Sequence, residues 1–164
     1  MLEDYLYIKK TKDRWGQGVF TKVDIRKNTP IIEFFGQLHT LQTIPDPENP
    51  VYLQITNKWF IGPSGQLDDY INHSCNPNCY INAVGKRATL YSLYDIKQNS
   101  ELTFDYSLTS TESLESWSMD CRCGYIKCRK IISGYQYLDE DIKKYYQSKD
   151  IVPLHIKSPI FKHY

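Results

Sequence analysis

The stretch YINHSCNPN, residues 70–78, constrains the fold most strongly, and ELTFDY, residues 101–106, comes next. In each stretch, polar side chains that can bind a ligand lie next to apolar or aromatic residues that are typical of short strands. A third stretch, CRCGYIKC at residues 121–128, places three cysteines within eight positions. The chain has 164 residues, which fits a single compact domain, so the three motifs belong to one folding unit.

The five cysteines favour a metal site over disulfides. The N-terminus has no apolar stretch like a signal peptide, and thiols stay reduced inside cells. Cys121, Cys123 and Cys128 can face one metal ion, and zinc prefers four ligands in a tetrahedron. Cys75 or Cys79 can supply the fourth, whereas the alternative is five unrelated buried thiols. We expect a structural zinc site that fastens the C-terminal segment against a distant loop.

The residues around these motifs predict a mostly β protein with many short strands. Strands are expected at residues 5–8, 18–21, 30–35, 88–94 and 101–104, with a hairpin over residues 51–61. Residues 67–71 predict a helical turn, and the Ser/Thr-rich residues 108–120 predict a mobile loop. One late helix is expected, with Asp139 as its cap and Ile142, Tyr145 and Tyr146 on one face.

A G-x-G motif at residues 16–18 adds a further candidate ligand contact, because glycine lets a backbone approach a ligand closely. The third glycine of a dinucleotide fingerprint is missing, as is the alternation of strands and helices. A Rossmann-type methyltransferase therefore fits the sequence poorly.

In this order and at this spacing, the motifs resemble the SET domain of protein lysine methyltransferases followed by its post-SET zinc segment. The resemblance spans about residues 5–130. It implies a SET-domain fold of several small sheets with a pseudoknot, then a zinc segment and a C-terminal helix. It divides the chain into a SET domain (1–118), a post-SET zinc-binding segment (119–134) and a C-terminal extension (135–164).

The resemblance also implies roles for individual residues. Tyr106 matches the catalytic tyrosine, and Phe104 and Tyr52 match positions that line the lysine channel. S-adenosylmethionine is the implied cofactor, with contacts from Trp15, Gly16, Gln17, Gly18, Tyr52, Asn72, His73 and Arg122. The implied zinc ligands are Cys75, Cys121, Cys123 and Cys128, which leaves Cys79 as a spare thiol.

The implied partner is a protein or peptide that carries a target lysine, and a histone tail is one candidate. Phe104 has no hydroxyl to hold a water in the channel, so we expect room for di- or trimethylation. The acidic residues Asp46, Glu48, Asp68 and Asp69 either attract a basic peptide or are merely solvated.

Composition narrows the remaining function classes. Lys plus Arg number 20 against 19 for Asp plus Glu, so the basic field of a nucleic-acid binder is not expected. No segment approaches the roughly 20 apolar residues of a membrane-spanning helix. The sequence predicts a soluble intracellular protein of the nucleus, chromatin or cytoplasm, or of a host compartment if it is microbial.

Two rival functions are a catalytically silent SET-like module that binds a peptide and a zinc-stabilised interaction domain without a cofactor. The presence of Asn72, His73 and Tyr106 favours the enzyme over the first. Thermal stabilisation by the cofactor separates the enzyme from the second, because a ligand of the native state raises its melting temperature.

Overall fold

The computed structural model describes residues 1–11, 16–47, 49–110 and 117–157. In this part of the chain, short strands form five small sheets, and helix is confined mostly to the C-terminal end. The strands are β1 (Leu6–Lys10), β2 (Gln17–Thr21), β3 (Pro30–Phe34), β4 (Leu38–His39), β5 (Leu53–Gln54), β6 (Phe60–Ile61), β7 (Asn72–His73), β8 (Cys79–Val84), β9 (Arg87–Ser92), β10 (Thr103–Phe104), β11 (Ser118–Asp120) and β12 (Ile131–Ser133).

The sheets bring distant parts of the sequence together. β1 and β2 form an antiparallel pair, while the two three-stranded sheets have the orders β3-β9-β8 and β4-β6-β5. β7 pairs in parallel with β10, so the first two motifs lie side by side. β11 and β12 are antiparallel and flank the cysteine motif.

The main core lies between these sheets. In β9, the exposed Arg87 and half-buried Thr89 alternate with Ala88 and Leu90, which are both 0% exposed. This period of two sets one face of the strand toward the core. Val19, Ile31 and Leu102 are also 0% exposed and come from three other segments, so the core joins the N-terminal strands to the two central motifs.

The C-terminal part contains helices α1 (Glu140–Ser148) and α2 (Leu154–Lys157). Tyr146 of α1 packs in a second apolar cluster with Leu93, Leu108, Leu138, Ile151 and Val152. Asp139 stands at the start of α1 as predicted, but its side chain makes no capping bond; its backbone carbonyl accepts the bonds instead. Of the predicted apolar face, Tyr146 is buried, Ile142 is half-buried and Tyr145 is 40% exposed.

The prediction of a mostly β fold of short strands with a late helix is confirmed. The prediction of a mobile loop over residues 108–120 is wrong at both ends, because Leu108 is buried in a 3-10 turn and β11 pairs with β12. Residues 111–116 of that loop lie outside the described residues. Strands β4, β7, β8, β11 and β12 were not among the predicted strands. Among the described helices, none has the length and apolarity needed to cross a bilayer.

Candidate active site

The parallel pair of β7 and β10 assembles the centre of the site. Its register sets Asn72 opposite Thr103 and His73 opposite Phe104. Immediately beyond β10, the backbone N–H of Tyr106 donates to His73 Nδ1 at 3.2 Å. The Tyr106 ring lies 5.4 Å from the His73 ring and 4.8 Å from the Phe104 ring, measured between centroids. Four of the predicted site residues thus lie together: Asn72, His73, Phe104 and Tyr106.

Strand β2 runs directly over this pair. The Asn72 amide donates to the Gln17 carbonyl at 2.9 Å and to Glu101 Oε1 at 2.8 Å. A Cβ atom on Gly18 would come within 2.4 Å of Glu101 Oε1 and 2.8 Å of Asn72 Nδ2, so only glycine fits there without displacing them. The G-x-G motif therefore contacts the Asn-His motif, while the part of both in a ligand site stays a prediction.

The Tyr106 hydroxyl is fixed at the inner side of a cavity. It donates to the Ile71 carbonyl at 2.9 Å, which leaves its oxygen free to accept a further bond. Burial raises the pKa of Tyr106, as does the nearby negative charge of Glu101. The phenol consequently stays protonated at neutral pH.

The cavity beside Tyr106 has a volume of about 240 Å³. Its walls combine aromatic rings with two carboxylates: Phe34, Phe35, Phe104, Tyr106, Asp68 and Asp69. Phe104 is 5% exposed and packs edge-to-face on Phe34, with ring centroids 6.0 Å apart. An aromatic cavity with a fixed hydroxyl can desolvate and align a small polar group.

The two aspartates are not merely solvated. Asp68 is buried and accepts bonds from the Phe35 N–H at 3.0 Å and the Ser64 hydroxyl at 2.6 Å. Asp69 accepts from the backbone N–H groups of Ser64 and Gly65. Both carboxylates therefore organise the turn before β7 while lining the cavity. Asp46 is exposed, and Glu48 lies outside the described residues.

Tyr52 lines a second, smaller cavity rather than the first. Its ring stands edge-on to His39, with centroids 5.4 Å apart. The smaller cavity has a volume of about 20 Å³ and reaches the other side of Tyr106, where Ser110 and Trp117 also line it. Tyr52 therefore lines a cavity that shares Asn49, Pro50 and Tyr106 with the larger one, whereas Phe104 lines only the larger one.

The other predicted cofactor contacts lie around the edge. Gly16 and Gln17 are exposed at the start of β2, and Arg122 is exposed between Cys121 and Cys123. Trp15 lies outside the described residues, so its predicted role stays a prediction.

The cysteine motif packs against the loop after β7. Cys75 Sγ lies 3.7 Å from Cys121 Sγ and 3.4 Å from His73 Nε2. Among the described residues, one group could hold a metal ion, with ligand atoms within 4.8 Å of one another: His73, Cys75, Cys121 and Cys123. Cys128 packs in the same cluster, with its thiol 3.6 Å from the Cys121 carbonyl oxygen. Three thiols with either an imidazole or a fourth thiol form a donor set that suits zinc.

The ionisation of these thiols differs. Burial alone would raise the pKa of Cys123, but the backbone N–H groups of Cys75 and Tyr125 and the neighbouring thiols lower it to about 7. Burial raises the pKa of Cys75 to about 11 and also raises that of Cys121. Cys79 lies apart in the main core, where burial raises its pKa. It is the spare thiol of the prediction.

A buried ionic network next to Tyr106 was not predicted. Asp105 receives two bonds from the Arg129 guanidinium and one from the Tyr146 hydroxyl. Burial would raise the pKa of Asp105, but these donors hold it below its ordinary value. Arg129 directly follows the third cysteine of the motif, which was a usable signal. For Tyr146, the only signal was its place on the apolar face of the predicted helix.

His73 is neutral in this setting. Burial lowers its pKa to about 4, and Asp105 offsets this only in part. Because Nδ1 accepts the Tyr106 N–H, the ring proton is on Nε2, the nitrogen that faces Cys75. The imidazole therefore links the Tyr106 turn to the cysteine cluster.

Comparison with known proteins agrees with this geometry. The family model described as "SET domain" matches residues 16–107, which is more than half of the chain. Histone-lysine N-methyltransferase ash1 of Drosophila melanogaster is 31% identical over an aligned length of 134 residues, which covers 73% of this chain. Histone-lysine N-methyltransferase, H3 lysine-36 specific, of Mus musculus is 32% identical over an aligned length of 133 residues, which covers 69% of this chain. The aligned regions cover 6% and 5% of those two proteins, respectively.

Solved structures share the fold. The crystal structure of KRYPTONITE in complex with mCHG DNA and SAH superposes with a TM-score of 0.65 at 24% identity. It covers 78% of this chain and 29% of that one. A second KRYPTONITE structure, in complex with mCHH DNA, H3(1-15) peptide and SAH, gives a TM-score of 0.63 at 22% identity.

Proposed function

Because the chain belongs to the SET-domain family, we propose that it transfers methyl groups from S-adenosylmethionine to a lysine side chain of a protein. The observation that carries this proposal is the Tyr106 hydroxyl, fixed by Ile71 in an aromatic cavity next to His73. The relatives are named histone-lysine N-methyltransferases, so a histone tail is the first substrate to test. A nuclear or chromatin location would follow from such a substrate.

The cofactor side of the proposed site is the edge where β2 crosses β7. Gly16, Gln17 and Gly18 offer backbone groups there, and Asn72 and His73 offer side chains. Trp15 and Arg122 extend this set in the proposal, and Tyr52 approaches from the far side of Tyr106. When bound, S-adenosylmethionine supplies a methyl group on a positively charged sulfur, whose bond to that methyl breaks as the lysine nitrogen bonds to it.

The lysine side of the proposed site is the cavity of about 240 Å³. No Lys or Arg is among its described lining residues, whereas Asp68 and Asp69 are, so its charge favours a cationic side chain. An amine reacts only when neutral, and an ordinary lysine has a pKa of about 10.4. Burial between Phe34, Phe104 and Tyr106 and the positive sulfur of the cofactor lower that pKa. Asp68 and Asp69 raise it, so the first two effects must outweigh the third for transfer to occur. The Tyr106 oxygen can then accept a bond from the amine and align its lone pair.

We expect Gly18→Ala to weaken S-adenosylmethionine binding about tenfold while the fold survives. The new methyl group collides with the ends of the Glu101 and Asn72 side chains, which can rotate away. The Asn72 amide would then lose its bond to the Gln17 carbonyl of β2. Calorimetric titration measures the affinity, and the melting temperature checks the fold. Unchanged affinity would remove Gly18 and Asn72 from the cofactor site.

We expect Phe104→Tyr to shift the product toward monomethyl-lysine. Phe104 is buried in the cavity wall, and a hydroxyl added to its ring would occupy the room that a methylated amine needs. The unchanged enzyme should form di- or trimethyl-lysine. Mass spectrometry of a lysine peptide measures the ratio. Only monomethyl product from the unchanged enzyme would contradict the proposed role of Phe104.

We extend the proposal to a structural zinc ion held by Cys75, Cys121, Cys123 and Cys128. The first three thiols lie within 4.8 Å of one another, and backbone N–H groups of Arg129 and Lys130 point at Cys75 and Cys128. The matching domain division is a SET domain at 1–118, a zinc-binding segment at 119–134 and an extension at 135–164. The pairing of β11 with β12 around the cysteines supports that middle segment.

The test of the whole proposal is transfer of a labelled methyl group from S-adenosylmethionine to core histones and, in parallel, to a cell lysate. We expect a labelled band that S-adenosylhomocysteine suppresses by competition. Absence of label together with cofactor-induced thermal stabilisation would point to a missing substrate or partner. Absence of both would favour the silent peptide-binding module.

A further inference from the structure

The buried carboxylate of Asp105 is a meeting point for three separate parts of the chain. Asp105 is 0% exposed and follows β10 directly. The Arg129 guanidinium, from the cysteine segment, donates to both of its oxygens at 2.6 and 2.7 Å. The hydroxyl of Tyr146, from helix α1, donates to Oδ2 at 2.7 Å. The C-terminal helix is therefore tied by a hydrogen bond to the residue that precedes Tyr106.

The same carboxylate controls the local geometry of the active site. Its Oδ1 accepts the backbone N–H of Ser107 at 3.0 Å and lies 3.5 Å from His73 Nδ1. The N–H of Tyr106, between these two contacts, donates to the same His73 nitrogen at 3.2 Å. A rotation of the Asp105 carboxylate would therefore move the turn that carries Tyr106, and with it the Tyr106 N–H that bonds to the His73 ring.

The hydroxyl of Tyr146 donates its hydrogen bond to this carboxylate. Its ring fills the second apolar cluster, and the residue is 2% exposed. A phenylalanine ring would fill the same space, so packing alone does not require a hydroxyl at this position. A buried hydroxyl is costly unless it is bonded, and the acceptor of the Tyr146 hydroxyl is Asp105 Oδ2.

We propose that Tyr146 is a positioning residue for methyl transfer: through Asp105, its hydroxyl holds Tyr106 and His73 in their working arrangement. Helix α1 is then part of the active-site framework, although it lies outside the matched residues 16–107. The inference rests on the proposed function for its kinetic part, while its structural part can be measured without any activity.

The first test compares Tyr146→Phe with Tyr145→Phe, the same change on the next residue of α1. The Tyr145 hydroxyl is bonded to that of Tyr94, away from Asp105. We expect kcat to fall roughly tenfold in Tyr146→Phe, because a small misplacement of a reacting group is enough for such a loss. The KM for the lysine peptide should stay unchanged, and Tyr145→Phe should match the wild type in both constants.

The second test records nitrogen-15 spectra of the zinc-loaded protein. We expect the Tyr106 amide and the His73 ring signals to shift in Tyr146→Phe and to stay in place in Tyr145→Phe. Tyr146→4-aminophenylalanine, which retains a donor, should restore both signals and kcat. This substitution also keeps the test decisive if Tyr146→Phe does not fold.

The outcomes separate the two proposals. If the wild type transfers no methyl group and S-adenosylmethionine does not raise its melting temperature, the proposed function fails, and the spectra still decide the role of Tyr146. Unmoved signals in Tyr146→Phe, equal shifts in Tyr145→Phe, or no restoration by the amino group would each overturn the positioning role. A lower melting temperature without any shift of the Tyr106 and His73 signals would make Tyr146 a packing residue only.

Discussion

Replacing Tyr106 by phenylalanine is expected to lower kcat by about 10²-fold or more, with little change in the affinity for S-adenosylmethionine. The hydroxyl is held by the Ile71 carbonyl at 2.9 Å, and its oxygen is the acceptor that can align the substrate amine. The ring contacts with His73 and Phe104 remain in the variant, so the cofactor edge keeps its shape. Single-turnover methyl transfer and calorimetric titration measure the two quantities.

The matched control is Tyr70→Phe, two residues before Asn72. Tyr70 is 37% exposed and is not among the described residues that line the cavity, so its hydroxyl should be dispensable. Loss of the Tyr106–Ile71 bond should cost about 1 kcal/mol of stability, which is too little to unfold the domain. Near-wild-type turnover in Tyr106→Phe would rule out the proposed role of its hydroxyl.

The centre of the site could be predicted because its residues lie in compact motifs. Asn72 and His73 are adjacent, and Phe104 and Tyr106 lie within one stretch of six residues. The parallel pairing of β7 with β10 then brings the two stretches together. The membership in the SET-domain family and the mostly β fold are confirmed. They could be predicted because the order and spacing of the motifs are legible in the sequence even where a strand has only two residues.

The parts that were missed depend on long-range contacts without a local signal. Strand β11 has only three residues and is stabilised by pairing with β12 on the far side of the cysteine motif. Strand β8 begins at Cys79, immediately after the Asn-His motif, and its pairing with β9 gives it strand geometry. The hydroxyl of Tyr146 bonds to Asp105, which is 41 positions away, so no local pattern indicates its role.

The Asp68 and Asp69 pair illustrates how burial changes an interpretation. A sequence can place two acidic residues before a motif, but it does not report that Asp68 is only 4% exposed. Its carboxylate bonds to the Phe35 backbone, so the charge is built into the cavity wall. The structural role of these carboxylates is compatible with attraction of a basic peptide, which stays a prediction.

Removal of zinc by a chelator is expected to abolish methyl transfer and to disorder the segment between β11 and β12. The strands of this segment have three residues each, and the four cysteines form much of the cluster that packs beside them. Structural zinc contributes on the order of 10 kcal/mol to folding in small zinc-dependent peptides. Arg129 would lose its fixed backbone beside Cys75, and Asp105 would lose its partner. Metal analysis during chelation measures the loss of zinc, and near-ultraviolet circular dichroism measures the disordering of the segment between β11 and β12.

Cysteine variants identify the fourth ligand. Cys121→Ala should bind no zinc, whereas Cys79→Ala, from the main core, should keep one ion per chain. His73 Nε2 lies 3.4 Å from Cys75 Sγ, so it competes with Cys128 for the fourth position. We expect Cys128→Ala to lose zinc and His73→Ala to retain it, since a neutral His73 already accepts the Tyr106 N–H and is needed at the cofactor edge. The opposite pattern would make His73 the fourth ligand in place of Cys128. The residue next to Asn72 would then bind the metal ion.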